Sequence, residues 1–159
     1  MAMDFIQNDP GYNHGDYKMQ PAGLRSAMAI LFIMTSAPKV QQRDAPTRDK
    51  ADSVIRRYLD ENVASHDAND VLYAYNASRN YDPSTQLGKI SAHVLAINSA
   101  DDFVNPPELG IMERLMPKVP HVKFILLPIT DQTAGHRTHS LPAIWKGYLA
   151  DFLKTLPER

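Results

Sequence analysis

The 159-residue sequence has no cysteine, which excludes disulfides, thiolate nucleophiles and cysteine-ligated zinc. That fits a reducing compartment, so a cytoplasmic location is the expectation. Long apolar runs are missing too. The longest lies near residues 27–34, short of the ~20 residues a membrane helix needs, so no membrane partner is expected. The opening "MAMDFIQNDP" lacks a basic stretch leading into an apolar one and does not read as a secretion signal. Charge of one sign is scarce: basic and acidic residues are mixed throughout at a net −1, so no basic face is available for nucleic acid. Repeats and low-complexity tracts are absent. What remains, 43% apolar and 22% charged residues, is the composition of one folded domain.

The two halves differ in texture. The first ~20 residues, with "DPGYNHGDYKMQP", are rich in turn formers and predict an extended loop. "AGLRSAMAILFIMTS", 22–36, reads as a strongly apolar helix stopped by Pro38, and "KVQQRDAPTRDKA" as a polar exposed stretch. Asp52 is placed to cap a helix through Glu61 with Val54, Ile55, Tyr58 and Leu59 on one face; a further helix over 68–78 carries Val71, Leu72 and Tyr75. The first half therefore reads as all-helical. From Gly88 on, "KISAHVLAINSA" and "HVKFILLP" predict two strands buried on both faces. Pro106 opens a helix between them that Pro117 ends. A last helix over 140–156 has Ile144, Trp145, Tyr148, Leu149 and Phe152 on its inner face. Strand, helix, strand, helix at this spacing is an α/β fold class: a βαβα unit with parallel strands. Two strands make a small sheet. Either others are hidden in the helical half, or another chain or a larger fold supplies them.

Functional residues of such sheets gather where strands end. The first strand ends in "NSADDFVNPP", bringing Asp101 and Asp102; the second leads to "PITDQTAGHRTH", bringing His136 and His139. An acid followed by a histidine on loops leaving one edge suits a base whose tautomer is set by a carboxylate. The plainer reading is a turn-forming "DD" and a solvated histidine before a helix. A metal reading would use Asp131, His136 and His139, with His121, but this spacing is no recognised zinc pattern.

Several stretches, "NDPGYNHGDY", "PAGLRSAM", "HDANDVLYAYNASRNYD", "NSADDFVNPPEL" and "GHRTHSLPAIWKGYLADFL", occur in an order that resembles the C-terminal portion of the homoserine O-acetyltransferase family of the α/β-hydrolase fold. The resemblance implies a partial α/β-hydrolase fold, with an N-terminal loop and helical lid-like region over 1–88 and a C-terminal βαβα portion over 89–159. It implies Asp101 as the triad acid and His136, after Gly135, as the triad base, with Asp102 and His139 as substitutes. It also implies acetyl-CoA as an acyl donor, no bound cofactor, and a small-molecule ester or acyl acceptor as substrate.

A serine nucleophile on an elbow needs glycines two residues to either side. Of seven glycines only Gly11 and Gly15 have that spacing, and Asn13 lies between them. An acid and base without a nucleophile have nothing to activate, so the chain alone is expected to be catalytically silent. It is either a truncated acyltransferase or esterase needing a complementing N-terminal fragment, or a non-enzymatic remnant that self-associates as a dimer or larger homo-oligomer. Two departures from the family pattern bear on substrate. Arg137 stands where the family has an aspartate for the homoserine amino group, and Met28 where it has an arginine. An acid changed to a base disfavours an ammonium substrate. The apolar 27–34 segment reads as a buried core helix, with an acyl-binding or dimer surface as the alternative.

Overall fold

The computed structural model describes residues 1–157. It divides into two units, one of Met1–Met34 and Gln41–Tyr81, the other of Thr35–Val40 and the chain from Asp82 onward. The expected boundary near 88 thus falls inside the second unit.

The first unit is helical: α1 (Ala2–Gln7), α2 (Ala22–Thr35), the end of α3 (Pro38–Asp44), α4 (Arg48–Ser65) and α5 (Ala68–Ala77). In α2, Leu24, Ala27 and Met28 fall on one stripe and are essentially without solvent contact, and Ile6 of α1 joins them with Ala68, Val71 and Leu72 of α5. Glycine is required at position 23, because a Cβ there would overlap the Phe5 carbonyl where the two chain segments meet. Further along, α2 leaves the core and Ile33 is 57% exposed, so only its first half is a buried core helix.

Three readings of this half need correction. The expected extended loop holds α1 and a tight Pro10–Gly15 segment, whose left-handed Asn13, His14 and Gly15 reverse the chain. Pro38 follows the end of α2, and it also opens α3, since a first-turn proline forfeits no helical bond. Helix α4 starts earlier than expected: Thr47 caps it by accepting from the Lys50 N–H at 3.3 Å, leaving Asp52 inside the helix. The cap of α5 is Asp67, which takes the Asn69 and Asp70 N–H groups and, in the same carboxylate, the Tyr17 hydroxyl and Gln20 amide, each at 2.8 Å.

The second unit holds β1 (Val94–Ser99), α6 (Ile111–Leu115), β2 (Val122–Leu127) and α7 (Pro142–Leu153). The strands pair in parallel, from Val94 opposite Val122 to Ser99 opposite Leu127. That is the expected βαβα order. Among the described residues the sheet has these two strands. The expectation of burial on both faces fails. Only Ser99 and Leu127 of the twelve strand residues are buried, and Leu126 is 38% exposed. Apolar β-branched sequence made the strands; cover for their faces has to come from other elements, and α7 supplies only half-buried Ile144, Trp145, Leu149 and Phe152, with Tyr148 exposed. No helix among the described residues is long and apolar enough to cross a membrane.

Candidate acid–base site

Both strand-end loops of the second unit leave the same sheet edge, as parallel pairing requires. The loop after β1 is built around Asp102, which is 5% exposed. Its Oδ1 accepts the Val104 and Asn105 N–H groups at 2.8 and 3.1 Å, an Asx turn that points the carboxylate back over its own loop. Asn98 braces the turn by donating to the Asn105 carbonyl at 2.8 Å.

The loop after β2 is set by small and hydroxyl residues. Thr133 and Thr138 are 2% and 3% exposed; Thr138 Oγ1 accepts the Ala134 N–H at 2.8 Å, and Thr130 and Thr133 bond each other across a tight turn. Gly135 is left-handed at φ 62°, and a Cβ there would lie 2.7 Å from the Ser36 carbonyl oxygen, so the residue before the histidine must be glycine. The short 3-10 segment Arg137–Ser140 then carries the chain into α7.

These loops bring His136 Nδ1 to 3.0 Å from Asp102 Oδ2. The carboxylate is the acceptor, so Nδ1 carries the proton and Nε2 keeps its lone pair in the neutral ring. Burial pushes the Asp102 carboxyl up, but the bonds from His136 and from the Asn105 and Val104 N–H groups outweigh it and hold it below the usual carboxylate range. Asp102 is therefore an anion shaped to fix and charge-balance an imidazole. His136 is about one-third exposed and lines a cavity of about 530 Å³ with Asn98, Asn105, Thr138, His139 and Trp145 among its walls.

The resemblance implies Asp101 as the partner of His136, but the bond is made by Asp102. Asp101 Oδ1 instead accepts the Ser99 hydroxyl at 2.5 Å, and Asp102, the substitute, meets the histidine. Both aspartates are followed by N–H groups two and three residues on, so the sequence does not separate them; the turn that Asp102 makes with Val104 and Asn105 does. His139 sits beside His136, ring centroids 5.0 Å apart. Arg137 is exposed and lies outside the cavity lining. Asp131 faces Lys39 at 3.6 Å, and among the described residues no three histidine or acidic side chains are grouped to hold a metal, so Asp131, His136 and His139 do not form one. Thr133 and Thr138 have no chemistry of their own, so only their spacing in a hydroxyl-rich turn announces a structural role.

No family model matches the sequence, and no curated protein matches it. Solved structures do. The chain is similar to homoserine O-acetyltransferase from Bacillus anthracis (18% identity, TM-score 0.77, covering 96% of this chain and 47% of that one). It is similar to esterase E22 (19%, TM-score 0.73, 96% and 49%). It is also similar to an acetylester hydrolase from Corynebacterium glutamicum (20%, TM-score 0.70, 96% and 48%). At such identities the likeness is one of fold: this chain has a partial α/β-hydrolase fold and spans about half the length of the solved structures it matches.

Proposed function

We propose that this chain is the lid and acid–base portion of an α/β-hydrolase-fold esterase or acyltransferase, in which His136 is the general base and Asp102 its orienting anion. The observation that carries the reading is the His136–Asp102 bond, made between the loops that follow two adjacent parallel strands and opening on a cavity. His136 Nε2 would take the proton of an attacking hydroxyl and return it to the leaving group; Asp102 stabilises the imidazolium formed in between. The attacking hydroxyl comes from a segment outside these 159 residues, because no serine here stands between elbow glycines. The acetyltransferase, esterase and acetylester hydrolase named above support acyl transfer from an ester or thioester as the reaction class.

The cavity walls favour a neutral substrate. Apart from Asp102, whose oxygens are engaged by His136 and the Asx turn, no carboxylate among the described residues lines the cavity, so among these residues an ammonium such as that of homoserine would meet no counter-charge there. An ester or a neutral acyl acceptor suits it better.

The test is to join the chain to the serine-bearing half of one of the similar esterases and follow p-nitrophenyl acetate. Turnover is expected from the joined protein, falling on the order of 10³–10⁴-fold in both His136→Ala and Asp102→Ala. The 159-residue chain alone is expected to give no burst. A folded, active joined protein indifferent to both substitutions would overturn the reading, as would a burst from the chain alone that His136→Ala abolishes.

A further inference from the structure

The acid–base pair leaves His139 unexplained. Its Nδ1 lies 2.5 Å from the His136 carbonyl oxygen. A carbonyl can only accept, so Nδ1 must be the protonated nitrogen of His139. The backbone N–H of His139 points at the same oxygen at 3.4 Å, so a single residue brings two donors to the His136 carbonyl. His139 is itself tied down: its own carbonyl accepts the Trp145 indole N–H at 3.1 Å, a bond from the first turns of α7. The two imidazoles stand 5.0 Å apart with their planes tilted by 59°, so the ring of His139 also limits where that of His136 can turn.

His136 needs such help. It follows a left-handed glycine, its side chain is about one-third exposed, and the open cavity on one side offers no packing. Asp102 holds one ring nitrogen; a single bond leaves the ring free to pivot about it.

We propose that His139 is a positioning residue for His136, clamping its carbonyl through Nδ1–H and confining its ring, with Trp145 anchoring the clamp to α7. The proposal rests on the reading of Asp102 and His136 as an acid–base pair. Its geometry specifies which substitute works. An asparagine amide nitrogen sits where the Nδ1–H of histidine sits, so His139→Asn keeps the donor; His139→Leu keeps bulk and loses it.

The test uses the 159-residue chain labelled with ¹⁵N-histidine and the water-exchange rate of the His136 Nδ1 proton. Expected are a protected proton in the unsubstituted chain, exchange at least tenfold faster in His139→Leu, and protection largely restored in His139→Asn. Trp145→Phe should give an intermediate rate. Exchange in His139→Leu equal to that of the unsubstituted chain would overturn the proposal, as would equal loss in the leucine and asparagine variants, which would mark a packing role only. If the His136 proton is unprotected before any substitution, or its protection survives Asp102→Ala, the acid–base reading itself fails and takes this proposal with it.

Discussion

The two units are ordered by different means. In the helical unit, side chains from three helices, Ile6, Leu24, Ala27, Met28, Val71 and Leu72, form a closed apolar core. In the other, the most apolar segments are the strands, and they stay half covered, while the best-buried positions include polar Ser99, Asp102, Thr133 and Thr138. Two aspartates sharpen the contrast. Asp67 and Asp102 each accept several hydrogen bonds and each is held below the usual carboxylate range. Asp67 is held chiefly by the Gln20 and Tyr17 side chains, with backbone N–H groups adding to them, and its oxygens end in a helix cap. Asp102 spends one oxygen on the backbone of its own turn and shares the other between the Asn105 amide and an imidazole on a cavity wall. The same chemistry ends in a helix cap in one unit and in a carboxylate–imidazole pair on a cavity wall in the other.

Core substitutions should separate the units most. Leu24→Ala, at a site with no solvent contact, is expected to lower stability by about 2–5 kcal/mol. Ile97→Ala in half-covered β1 should cost roughly 1 kcal/mol, because less area leaves water there in the first place. Urea unfolding of both variants checks this; equal losses would mean that β1 is covered as well as α2.

Acid should weaken both hubs. A carboxylate whose folded value is lowered stabilises the fold above its ordinary range, and that contribution is lost as pH falls through the lowered value. Stability should therefore drop on acidification below the ordinary carboxylate range, and Asp67→Asn and Asp102→Asn should each flatten the drop. Thermal melts across that range measure it. At neutral pH, Asp67→Ala should cost about 1–2 kcal/mol as a lost cap, whereas Asp102→Ala should be felt chiefly at His136.

The smallest effect has the opposite sign. Gly147 lies inside α7 and a Cβ there would touch nothing. Gly147→Ala should raise stability by about 0.5–1 kcal/mol, seen as a higher melting temperature. A loss would mean that α7 is covered on that side in solution.

Much of this contrast is legible in the sequence. The apolar stripe of α2, the β-branched runs of β1 and β2 and the polar ends of both strands announce the helical half, the βαβα half and the neighbourhood of the site. What escapes has local physical causes. Helix α1 is six residues long and gives too short a stripe to register against the turn formers after it. A proline following one helix is equally able to open the next, so Pro38 reads both ways. Burial of a strand depends on what lies over it, which an apolar run does not specify. Asp101 and Asp102 sit past the last ladder residue, where strand alternation no longer assigns a direction; only the turn made with Val104 and Asn105 separates them.

Asp102, not Asp101, accepts the Nδ1 proton of His136. Ring ¹⁵N shifts of His136 in the two asparagine variants test it directly: Asp102→Asn should displace them and Asp101→Asn should leave them in place. The reverse pattern would assign the pairing to Asp101.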